Sequence, residues 1–174
     1  MKNTLFEIPL FKYQVKDWPE KKERLFKLIS NTNLERSVLG NYFSDKSEEK
    51  SSYSEDFTNL FREEITQFLD DSGVSVCNVK NVWTVKYNEG DWQLPHNHQS
   101  VGFSGVLYVN FDNNEHISTI MVQPWNNYLN GGTQMVDADG KEGEIIFFPS
   151  FILHFTPPNV SNKERTVISF DIQV

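Results

Sequence analysis

A chain of 174 residues with 38% hydrophobic and 23% charged residues is long enough for one domain with its own core, which excludes a disordered or fibrous class. Lys plus Arg total 16 against 24 Asp plus Glu, and the formal charge of -8 argues against a nucleic-acid partner held through phosphates. No apolar run reaches membrane-spanning length, MKNTLFEIPLF lacks a signal-peptide core, and a single cysteine forbids an internal disulfide, so a cytoplasmic setting is expected.

The first part of the chain reads as helical. Asp17-Trp18-Pro19-Glu20 marks a helix start, with Asp17 as cap, Pro19 in the first turn and Glu20 reaching back. Leu25, Leu28 and Ile29 follow at helical spacing. Asp45 to Ser52 is polar and is expected to be an exposed loop. Phe57, Leu60, Phe61, Ile65, Phe68 and Leu69 fall at steps of three and four, which predicts one helix from about Ser54 to Asp71 that packs its apolar stripe on a sheet. Gly73 is a natural stop. Glu63-Glu64 is expected to belong to the solvated face, and Asp70-Asp71 to the helix end.

From Val74 the pattern becomes strand-like. Val82–Tyr87, Gly105–Phe111, Ile117–Gln123, Glu144–Phe148 and Thr166–Ile172 are rich in β-branched and aromatic residues, with turn signals at Asn130-Gly131-Gly132 and Asp139-Gly140. Cys77, in VSVCNV, reads as a small core or strand residue. Several short strands at fairly even spacing predict a mainly β fold, a barrel or jelly roll with the N-terminal helices on one outer face. The expected organisation is a single domain over 1–174, with 1–73 as helical support and 74–174 as barrel core.

Within that barrel, GDWQLPHNHQS places His96 and His98 two apart. In an extended segment such residues share a face, with Cα atoms roughly 6.5–7 Å apart. Pro95 favours an extended approach, and two neutral imidazoles suit a first-row transition metal. His154, just past the apolar run of residues 144–149, is the candidate third ligand. His116 sits in a polar turn and receives no role. In the last predicted strand, alternation puts Arg165, Val167 and Ser169 on one face. If that face lines the barrel, Arg165 is a buried cation that needs an anion, and its planar fork suits a carboxylate.

Together these elements resemble the 2-oxoglutarate and Fe(II)-dependent oxygenases, in particular those of bacteria and of phages of marine cyanobacteria. The resemblance rests on Tyr87-Asn88-Glu89-Gly90, His96-x-His98, Ser104-Gly105-Val106-Leu107-Tyr108-Val109, Phe148-Pro149-Ser150 followed by His154, and Arg165 with Ser169-Phe170. It implies a double-stranded β-helix. It also implies Fe(II) on His96, His98 and His154, 2-oxoglutarate with its 5-carboxylate on Arg165, and cosubstrate contacts from Tyr87, Tyr108 and Ser169. The implied reaction couples oxidative decarboxylation of 2-oxoglutarate by dioxygen to hydroxylation of an unknown substrate. Ser169 is displaced from the common Arg-x-Ser pattern, where Val167 stands instead. His98 stands where many relatives carry Asp or Glu, which leaves either a three-histidine site or a site completed by Asp91 or water.

Two other readings share the barrel. Gly90, His96-x-His98, Pro149 and His154 partly fit the cupin motifs, which implies a three-histidine dioxygenase or isomerase without 2-oxoglutarate; the cupin glutamate after His98 is missing. A non-catalytic binding module is the third reading. The primary substrate and any homo-oligomer stay open at this point.

Overall fold

The runs GVLYV (105–109) and IIFF (145–148) are apolar without interruption, so a strand built from either must bury both faces. The computed structural model, which describes residues 6–38, 40–46 and 52–174, satisfies this with two cores on opposite sides of one sheet. The elements run β1 (Phe11–Gln14), α1 (Trp18–Ile29), β2 (Glu35–Arg36), β3 (Gly40–Asn41), β4 (Phe43–Ser44), α2 (Ser54–Leu60) and α3 (Arg62–Ser72). They continue with β5 (Asn78–Tyr87), β6 (Trp92–His96), β7 (Phe103–Asn110), β8 (Ile120–Val122), β9 (Met135–Asp137), β10 (Glu144–Pro149), β11 (His154–Thr156) and β12 (Arg165–Gln173).

A seven-stranded sheet has the order β1-β10-β7-β12-β5-β4-β2 and faces a five-stranded sheet of order β3-β6-β11-β8-β9. The paired strands are antiparallel. This is the double-stranded β-helix expected from the sequence, with helices on one outer face. Period-two alternation sorts the large sheet. Leu107, Val109, Ile145, Phe147, Ile168 and Phe170 meet the helices, while Val106, Tyr108, Ile146, Phe148 and Val167 face the second sheet. Gly105 is needed where Phe170 crosses it, since a Cβ there would lie 2.1 Å from that ring.

The aromatic stripe packs on the sheet as predicted. Phe57, Phe61 and Phe68 are fully buried, and Phe68 stacks on Phe147 with centroids 4.4 Å apart. The predicted single helix is two, because Phe61 leaves helical geometry at φ -109° and ψ 24°. Phe57, Leu60, Phe61 and Ile65, on both sides of the break, all belong to the helix-side core. Gly73 ends α3 in the left-handed region, as expected.

Several local expectations need correction. Asp17 does not cap α1 through its side chain. It adopts the left-handed region itself, and its carbonyl accepts the Glu20 and Lys21 N–H groups. Glu64 is buried rather than solvated, because Lys21 donates to it at 2.9 Å and the Lys16 backbone N–H at 3.1 Å. Asp45 is partly buried and accepts bonds from the Thr84 N–H and the Tyr53 hydroxyl; residues 47–51 of that expected loop lie outside the described residues. The first 73 residues are not purely helical support, since β1 to β4 arise there and join both sheets. Cys77 is half-buried against the helix-side core, just ahead of β5.

Candidate metal and cosubstrate site

The site lies between the two sheets. β6 and β11 pair so that His96 stands directly opposite His154, and the ring centroids are 4.4 Å apart. His98 lies beyond the end of β6, so strand alternation alone does not aim it. Its backbone N–H donates to the Ser150 carbonyl, and its ring centroid is 5.1 Å from each of the other two. Each histidine offers a ligand atom, and the three atoms lie within 4.8 Å of one another.

Hydrogen bonds set the tautomer of every ring. His96 Nδ1 lies 2.8 Å from the Leu94 carbonyl oxygen and His154 Nδ1 lies 2.9 Å from that of Ile152. His98 Nδ1 lies 2.6 Å from Asp171 Oδ1. All three acceptors require an Nδ1–H donor, so Nε2 is the nitrogen each ring can offer to a metal. Burial holds the His96 pKa down to about 4 and that of His154 to about 3, with the neighbouring histidines adding to the effect. Both rings are therefore neutral at pH 7 and able to ligate. Burial raises the Asp171 pKa, but hydrogen bonds from His98 and Asn81 outweigh it and hold the carboxyl below its usual range.

Arg165 begins β12 and points into the same cavity. It is 2% exposed, and its Nε and Nη2 have no hydrogen-bond partner. Its guanidinium lies over the Tyr87 ring, with Cζ 5.1 Å from the centroid, and 5.4 Å from that of Phe111. Burial lowers its pKa, but a guanidinium remains charged at neutral pH. A buried cation with two free donors requires an anion, and a dicarboxylate meets that need.

Tyr87 and Ser169 line the cavity with Arg165. The Tyr87 hydroxyl donates to Gln93 at 2.8 Å, and burial pushes its pKa up to about 12. Tyr108 does not line the cavity. Its hydroxyl is held by Ser118 and Thr119, both at 3.0 Å, and Thr119 is the residue that reaches the cavity wall. Asp91 is absent from the histidine cluster; it accepts from Arg36 at 3.1 Å and from the Asn88 N–H at 2.9 Å. His116 is structural, with Nδ1 accepting the Asp112 N–H and Nε2 donating to the Lys163 carbonyl. Asp171 was missed in the sequence, although the alternation that aims Arg165, Val167 and Ser169 inward continues to it.

A family profile described as "Putative 2OG-Fe(II) oxygenase" matches residues 81–171, more than half of the chain. The chain belongs to this oxygenase family. The three clustered histidines, Arg165 and Asp171 all fall inside the matched stretch. The oxygenase accordingly works with Fe(II), 2-oxoglutarate and dioxygen on a primary substrate. Solved structures share its fold at low identity. A prolyl-4-hydroxylase from Pseudomonas putida is 10% identical, with 94% of this chain and 91% of that one covered and a TM-score of 0.61. A 2OG-Fe(II) oxygenase family oxidoreductase from Burkholderia pseudomallei is 15% identical, with coverage of 94% and 85% and a TM-score of 0.69. The α-ketoglutarate-dependent epimerase SnoN from nogalamycin biosynthesis is 12% identical, with coverage of 94% and 77% and a TM-score of 0.69. Among curated proteins no sequence matches the oxygenase significantly. No described helix is long and apolar enough to cross a membrane.

Proposed function

We propose that this oxygenase is a hydroxylase with a three-histidine iron site, in which His96, His98 and His154 hold Fe(II) through Nε2 and Arg165 grips the 5-carboxylate of 2-oxoglutarate. The carrying observation is that a buried Arg165 with unpartnered Nε and Nη2 shares one cavity with three imidazole rings whose ligand nitrogens converge. Tyr87 fixes the guanidinium from one face, and Ser169 and Thr119 offer hydroxyls along the same wall. Tyr108 acts from behind Thr119. The whole of 1–174 is read as one domain. With Fe(II) and 2-oxoglutarate bound, oxidative decarboxylation of the cosubstrate supplies the oxidising power for C–H hydroxylation. The protein positions both carboxylates, keeps the His96 and His154 rings neutral and excludes water between the sheets.

A cupin-like reaction without 2-oxoglutarate has no use for a buried, unpartnered guanidinium beside the metal, and a non-catalytic module has no use for either feature. Anaerobic titration of the Fe(II)-loaded protein with 2-oxoglutarate tests the reading. A saturable visible absorption band is expected, followed by succinate release on exposure to air. A folded, iron-loaded sample without the band would overturn it.

A further inference from the structure

The three rings are not oriented alike. His96 and His154 donate to neutral backbone carbonyls, whereas His98 donates to the carboxylate of Asp171 at 2.6 Å. That carboxylate is itself positioned. Its second oxygen accepts from Asn81 Nδ2 at 3.2 Å, and its backbone is paired with Asn81 on one side and Ser104 on the other. The His98 ring stacks on Trp83, with centroids 5.4 Å apart and planes 19° from parallel. The side chains of His98 and Asp171 are 6% and 17% exposed, so solvent screens the pair weakly. His98 sits past the end of its strand, where the ladder no longer dictates the ring's direction.

We propose that Asp171 is a positioning residue for the iron site. It fixes the Nδ1–H tautomer of His98, aims Nε2 at the metal and makes that ring the most electron-rich of the three, so that a set of neutral ligands gains a negative charge one hydrogen bond away. β12 then carries both halves of the cosubstrate and metal chemistry on one face, with Arg165 for the acid and Asp171 for the ligand. The inference rests on the three-histidine reading above.

The test compares Fe(II) dissociation constants, measured anaerobically by competition with a chromophoric chelator, for the parent protein, Asp171→Asn, His98→Ala and the double variant. Asp171→Asn is expected to weaken binding roughly 10–100-fold. The double variant is expected to bind no more weakly than His98→Ala alone, because Asp171 acts only through that ring. Parent affinity in Asp171→Asn, or a loss that adds in full to that of His98→Ala, would overturn the role of Asp171. Parent affinity in His98→Ala would instead overturn the three-histidine site. A second readout needs no variant. Long-range proton–nitrogen NMR correlations of the Zn(II)-loaded parent, labelled at histidine, should show His98 protonated at Nδ1; a proton at Nε2 would sink the proposal.

Discussion

At the scale of single residues, the site is governed by what burial does to charge. Arg165 has no hydrogen-bond partner for two of its nitrogens, yet it is almost completely enclosed. In the absence of its anion this arrangement opposes folding, because desolvation of the guanidinium is only partly offset by the Tyr87 and Phe111 rings. Arg165→Leu is therefore expected to leave the melting temperature of the 2-oxoglutarate-free protein unchanged or higher. The same variant should weaken 2-oxoglutarate binding by about 100-fold or more, which corresponds to losing a charged, bidentate pair. Iron binding should survive. A variant that still forms the Fe(II)–2-oxoglutarate band at parent affinity would remove Arg165 from the site.

Elements act by presenting such residues in register. β12 is central in its sheet, between β7 and β5, so its inward face cannot drift relative to either neighbour. Its outward face is pinned by the helices. Phe170 lies against Phe57 at 5.2 Å and Phe147 at 5.6 Å, and Phe147 in turn stacks on Phe68 of α3. Phe68 also meets Phe11 and Phe103 edge-on. Truncating it removes a ring from a closed aromatic cluster, and Phe68→Ala is expected to cost about 3–5 kcal/mol in chemical denaturation. The activity of the fraction that remains folded should change little, since the cluster lies on the far side of the sheet from the histidines. A large drop in activity per folded molecule would show that the helix layer sets site geometry directly.

For the whole molecule, the histidine site couples stability to pH. Unfolded histidine titrates near 6.5, while His96 holds out to about 4 and His154 to about 3. Between those values the unfolded chain binds more protons than the folded one, so stability falls as pH falls from about 6.5 towards 4. Buried His116, also lowered by desolvation, works in the same direction. Melting temperatures of chelator-treated protein should decline steadily across this window, and a flat profile would mean that the rings are solvated. At pH 7, Fe(II) with 2-oxoglutarate should raise the melting temperature by mass action, and more than Fe(II) alone.

Residue order by itself determined the strand periodicity, the aromatic helix stripe and the sharing of one strand face by Arg165, Val167 and Ser169, because alternation and helical spacing are local rules that a linear chain displays directly. The HxH spacing and the motifs around it were enough to point to the family and its fold. The short strands β1 to β4, β6, β9 and β11 were not legible, since two to five residues carry too little periodicity and are made strands by their partners. The helix break at Phe61 was hidden as well, since the apolar stripe keeps its spacing of three and four across it. Only the tertiary structure brought His154 opposite His96, placed His98 beyond its strand, and set Asp171 against that ring. Those contacts join positions more than 50 residues apart, and sequence spacing holds no record of which side chains meet once the two sheets close.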